Sequence, residues 1–189
     1  MKILIQSIMF IAIVSIFAIT SDRLSKIEST TNMPKSGVNS DSNMGDKEFL
    51  SDVIAHHHGA IIMAKEARVK SDRPEIISFA NDIIAMESSN IEQAYVWRRD
   101  WFGETSYIYP DKSDKKITMV KDLGGKDDKF DLRFLDAMII HHEGAITMLN
   151  DILVPTTKTE IHNTASAGII ALGKDIDIMK GWRKEWYGK

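Results

Sequence analysis

The sequence predicts an all-α protein, a four-helix bundle built from two helical hairpins. Three observations predict it. Apolar residues recur at three- and four-residue spacing over long stretches, in a chain with only 4 prolines. A constant offset of 85 residues, the separation of His56 from His141, lays one half of the chain on the other. Both halves also carry the same chemical run, Ala55-His56-His57-His58-Gly59-Ala60-Ile61-Ile62-Met63 and Ile140-His141-His142-Glu143-Gly144-Ala145-Ile146-Thr147-Met148.

The offset holds its register throughout. It pairs Asp46 with Asp131, Phe49 with Phe134, Leu50 with Leu135, and Glu75-Ile76 with Glu160-Ile161. Further on it pairs Trp97-Arg98 with Trp182-Arg183, Trp101 with Trp186, and Gly103 with Gly188. A match that spans two helices without a gap reads as a duplicated unit, each half unable to bury its apolar face alone.

In chain order, residues 1–20 are almost continuously apolar from Ile3 to Ile19 after Lys2, as in a signal peptide or an N-terminal membrane anchor. The rest of the chain is therefore expected to work outside the cytoplasm. Residues 21–45 are rich in Ser, Thr, Asn, Lys and Asp and read as a flexible polar tether. The helical domain is 46–189, divided into repeat one (46–103), a crossover (104–130) and repeat two (131–188). The first helix of each repeat starts near Asp46 or Asp131, an N-cap residue type. Its apolar stripe is Phe49, Val53, Ala60 and Met63 in one copy, and Phe134, Met138, Ala145 and Met148 in the other. It stops near Lys70, and before Pro155, since proline disfavours helix in the residue preceding it. The second helix opens on a capping-box pattern, Asp72-Arg73-Pro74-Glu75 or Thr157-Lys158-Thr159-Glu160. It runs to a Trp-x-x-x-Trp pair that packs the bundle end, and a glycine closes it. In the crossover, Tyr107 to Pro110 reads as an extended crossing and Ile117 to Leu123 as a short helix ended by Gly124-Gly125. Two hairpins joined by one long crossover is the arrangement of ferritin-like bundles.

Composition narrows the chemistry. A formal charge of -3 without a basic face gives no footprint for nucleic acid. With no cysteine, disulfide frameworks, thiolate zinc sites and cysteine nucleophiles are excluded. No nucleophile elbow is present, and no catalytic residue is assigned. Soft-metal ligation is left to ten methionines and six histidines. At about 100° per residue, Met138, His141, His142, Ala145, Met148 and Leu149 share an arc of roughly 120°, the width of a core-facing stripe. The histidines are thus expected to point inward beside the methionines.

The candidate metal ligands are His56, His57, Met63, Met138, His141, His142 and Met148. Met138 precedes His141 and His142 by one turn. Met148 follows His141 by seven residues, about 10 Å along the axis, and must serve from across the bundle. If the histidine helices are antiparallel and cross at Gly59-Ala60 against Gly144-Ala145, His56 faces Met148 and Met63 faces His141. A mixed imidazole–thioether set favours copper, and Cu(I) above all, over zinc or iron. His58 falls on the flank of the stripe and His162 on the second helix, both expected at the surface. Two other readings stand beside this one. A structural module would only hydrogen-bond its histidines within the core. A di-metal oxidoreductase would need Glu-x-x-His pairs, to which Glu87-x-x-Asn90 is the nearest approach.

The run Phe130-Asp131-Leu132-Arg133-Phe134-Leu135-Asp136-Ala137-Met138-Ile139-Ile140-His141-His142-Glu143-Gly144-Ala145 closely resembles the signature of the ferritin-like family catalogued as domain of unknown function 305. Phe49 to Met63 is similar to the same signature, with Val53 where the family has methionine. The resemblance covers Asp46 to Gly188. It implies a periplasmic protein, or one membrane-anchored facing the periplasm, that handles copper, and it implies the same seven ligands by position. The second helix departs from the family's Gln-x-x-Glu-Ile-x-x-Met-x-x-Trp run. Copy one has Glu87, Asn90, Ile91 and Ala94, and copy two has Leu172, Asp175, Ile176 and Met179.

Overall fold

Two tight turns and one long connection decide the architecture. In this computed structural model the described residues are 40–108 and 119–189. The apolar segment 1–20 and tether residues 21–39 lie outside them, as do crossover residues 109–118. The described helices are α1 (Ser40–Lys70), α2 (Pro74–Phe102), α3 (Phe130–Leu153) and α4 (Thr159–Tyr187), and they form a four-helix bundle. None of these helices is long and apolar enough to cross a membrane.

The helix ends follow local chemistry, with two departures from expectation. α1 is already helical at Ser40, six residues before the expected start near Asp46. The caps of α2 and α4 fall on Arg73 and Lys158, neither with a side-chain capping bond, so the expected capping boxes do not form. In α2 the cause is Pro74, which holds the residue before it extended. The hydroxyls of Ser71 and Thr156 instead accept the backbone N–H of Arg73 (3.1 Å) and Lys158 (3.2 Å). Asp72 turns away to pair with Lys126. Gly103 (φ 68°) and Gly188 (φ 67°) close α2 and α4 in the left-handed conformation that glycine adopts without a steric penalty.

Two apolar clusters fill the bundle. The first joins Ala60, Met63, Ala64 and Ala67 of α1 to Phe130, Phe134, Leu135 and Met138 of α3. The second joins Leu50 and Ile54 of α1 to Ile152 of α3. α1 and α3 therefore run antiparallel, and both histidine runs lie where the clusters meet. Counterparts 85 residues apart on α2 and α4 go to opposite clusters. Ile76 and Ala80 lie in the first, whereas Ile161 and Ala165 lie in the second. Further along, Ile91 lies in the second and Ile176 in the first.

The bundle ends obey the same relation. Trp97 stacks on Trp101 with centroids 5.1 Å apart, and Trp182 on Trp186 at 5.3 Å. Arg73 lies 4.3 Å over Trp186, and Lys158, its counterpart at an offset of 85, lies 5.1 Å over Trp101. The turn of each hairpin thus caps the tryptophan stack of the other. Arg73 also reaches Asp131, with Nε 3.3 Å from Oδ2.

The described part of the expected crossover helix, residues 119–123, is not helical. Leu123 is buried in the first cluster and Val120 packs against it. Arg133 ties the segment down, its guanidinium donating to the carbonyls of Leu123 (2.6 Å) and Gly125 (2.7 Å).

Arg73→Ala is expected to lower the unfolding free energy by about 1 kcal/mol through the lost ring contact. Urea unfolding of a double-mutant cycle with Trp186→Leu should return a coupling above about 0.5 kcal/mol. Simple additivity would contradict the cap.

Candidate metal centre

Between the two apolar clusters lies one polar layer, built from the middle turns of α1 and α3. His56 and His141 meet there with ring centroids 3.8 Å apart and planes tilted by 43°, and both are buried. The helices cross histidine to histidine, not glycine to glycine. Met63 and Met148 consequently lie seven residues beyond His56 and His141, about 10 Å along their helices and on opposite sides of the layer. The expected pairings of Met63 with His141 and of His56 with Met148 are not what this register gives. Sliding α1 to restore them would pull Met63 out of the cluster it fills with Phe134 and Leu135, at a cost of about 2 kcal/mol.

Burial and the neighbouring His141 and His57 rings push His56 down from 6.5 to about 2, against an opposing effect of Glu87. The ring is neutral at any ordinary pH, and its Nε2 is buried without a hydrogen-bond partner. His142 is also buried, and neither of its ring nitrogens has a hydrogen-bond partner. Its Nε2 stands 3.8 Å from Asp175 Oδ2, beyond hydrogen-bond length. The His141 and His142 centroids are 6.3 Å apart. A buried nitrogen without a partner costs about 1–3 kcal/mol. A cation that accepts imidazole lone pairs would remove that penalty, so the donor set fits a metal ion.

His57 is held differently. Its Nδ1–H donates to Glu87 Oε2 at 2.6 Å, and Asn90 Nδ2 donates to the same oxygen at 3.2 Å. That bond sets the tautomer and leaves Nε2 with the lone pair, as a carboxylate does for ligating histidines. Burial alone would raise the Glu87 carboxyl, but the His57 ring and its hydrogen bond outweigh it and hold the group at about 2.

Met138 is wholly buried one turn before His141 and His142, at the edge of the layer. Met63 is wholly buried in the same cluster, and Met148 is half-buried. His162 is exposed, as expected. His58 is not: it is half-buried, burial pushes its pKa down, and its Nε2 is closed off from solvent. Among the described residues no three of His, Asp and Glu converge as an ion-holding group.

The family model described as Domain of unknown function (DUF305) matches residues 46–183. The chain belongs to this family. Solved structures of CopM are similar to it, each covering 75% of this chain and 97% of that one at 27% identity. They include CopM in the Cu(II)-bound form, with a TM-score of 0.66, and in the Cu(I)-bound form, at 0.63. CopM in the Ag-bound form obtained by soaking scores 0.64. No curated protein matches the chain.

Glu87 is the residue that sequence reasoning passed over. The family's second-helix run places its glutamate at the positions of Asn90 and Asp175. In this member, copy one carries the carboxylate three residues earlier, at Glu87, with an amide at Asn90. Residues three apart share a helix face, so the shift still delivers a carboxylate to the layer. That exchange was the available signal.

Both depressed groups make acid destabilising to the metal-free protein. The unfolded chain takes up a proton at His56 below 6.5 and at Glu87 below 4.5, whereas the folded chain resists until about 2 in each case. Stability present above those unfolded values is lost as pH falls toward 2. Urea midpoints measured across this range should decline. His56→Leu should flatten the limb below 6.5, and Glu87→Gln the limb below 4.5. A midpoint independent of pH down to about 3 would contradict both assignments.

Proposed function

We propose that this chain is an exported protein that binds copper, Cu(I) in preference, and so contributes to copper tolerance or handling. The observation that carries the reading is the buried layer where His56 and His141 meet across two helices, with His56 Nε2 and both His142 ring nitrogens lacking hydrogen-bond partners. CopM, similar over nearly its whole length, supports the metal, since its structures include Cu(I)-, Cu(II)- and Ag-bound forms.

His56 and His141 hold the centre, His142 joins from the next position on α3, and His57 offers Nε2 while Glu87 grips its other nitrogen. Met138 is the thioether nearest the layer, and Met63 and Met148 are soft donors further along on either side. His, Asp and Glu alone form no triad among the described residues, and buried Met138 beside the layer supports a thioether as a further donor. Sulfur favours the soft monovalent ion. The ionised Glu87 lies close enough to offset part of its charge. A carboxylate-bridged di-metal oxidase would call for Glu-x-x-His pairs, and the sequence carries none. The apolar segment 1–20 supports export to the periplasm or anchorage facing it.

Titration with Cu(I) under reductant should raise the melting temperature, by the equivalent of about 4 kcal/mol at a thousandfold excess over Kd. A variant with His56, His57, His141 and His142 all changed to alanine should bind none. Copper retained by that variant, or a melting temperature indifferent to copper, overturns the assignment in favour of a structural helical module. Recovery of the cellular protein from the cytoplasm alone overturns export.

A further inference from the structure

We propose that Met119, in the segment that returns from the crossover to α3, supplies a thioether to the copper layer, and that Gly144 is the socket its sulfur occupies. The proposal deepens the copper-binding reading and rests on it.

The contact itself is the first observation. A Cβ built on Gly144 would overlap Met119 Sδ and stand 2.9 Å from its Cε. The sulfur therefore lies against bare helix backbone, where any residue but glycine would displace it. The glycine of the His-His-x-Gly-Ala run thus admits a sulfur from the crossover, rather than the facing helix.

The second observation is conformational. Met119 has φ 50°, in the left-handed region that a residue with a side chain rarely adopts. Among the described residues no other non-glycine does so. The residues after it are held in place. Val120 and Leu123 dock on the first cluster, and Arg133 clamps the carbonyls of Leu123 and Gly125. The backbone is held in an unfavourable shape that delivers this side chain to α3.

The third is position. Gly144 follows His141 by three residues, about 4.5 Å along the axis and about 60° around it. Met138 precedes His141 by the same distance on the other side. Sulfur from Met119 and Met138 would then bracket the imidazoles, and Met119 fills the interval of about 10 Å that separates His141 from Met148. Methionine is also a common gap filler. A filler, however, is replaceable by leucine without consequence for a bound ion, and that difference is measurable.

X-ray absorption at the copper edge of the Cu(I)-loaded full chain counts sulfur and nitrogen neighbours directly. Met119→Leu should lose one sulfur neighbour, and Gly144→Ala, whose methyl takes the sulfur's place, should lose the same one. Cu(I) affinity, measured by chelator competition, should fall about tenfold or more in each, at least as much as loss of an outer-shell partner. Far-UV circular dichroism checks that both variants remain folded, which alanine in place of a helical glycine favours. An unchanged sulfur count in Met119→Leu overturns the proposal while leaving the histidine site standing. A count unchanged in Gly144→Ala alone overturns the socket. Failure of the wild-type chain to bind copper at all overturns the reading beneath.

Discussion

Helical bundles ordinarily fill their middle with apolar side chains, because a buried ring nitrogen without a partner is a standing penalty. Here the helices cross at two imidazoles, His56 against His141, with apolar packing on both sides. Residues His56 and His141 are related by the offset that relates the two halves of the chain. The contact is therefore the place where the halves meet their own counterparts. The packing that sets this pair also runs α1 and α3 antiparallel, divides the core into two clusters and fixes the levels of the methionines.

The packing around the layer holds it there. Met63, Phe134 and Leu135 on one side, and Leu50, Ile54 and Ile152 on the other, resist any slide of α1 along α3. At the ends, Arg73 over Trp186 and Lys158 over Trp101 lock each hairpin to its neighbour. The rigidity is functional under the proposed reading. A preorganised set of donors loses less freedom when an ion arrives than one that must assemble.

Carboxylates come to the layer from the second helix of each hairpin, but not symmetrically. Glu87 grips His57 directly, whereas Asp175 stands back from His142. Strict duplication would have made two like half-sites. The exchange between positions 87 and 90 breaks the equivalence and distinguishes one imidazole, with its tautomer set, from another whose nitrogens both lack hydrogen bonds.

Helix number, the offset of 85, the glycine stops at Gly103 and Gly188, and an inward histidine stripe were all legible from the residues. Each depends on spacing along one helix or on the chemistry of a single position, and such properties are local. What the chain order could not contain was the register between α1 and α3. Glycine and alanine in the repeated run marked a plausible crossing, but the choice between crossings is made by the sum of apolar contacts at both ends, and it put histidine against histidine instead. For the same reason the reach of Glu87 to His57 and of Met119 to Gly144 went unseen, since each joins segments far apart in the chain. Sequence by itself determined which donor atoms the protein owns and which face carries them. Only the tertiary structure decided which of them share a level, because that is settled by packing between segments far apart in the chain.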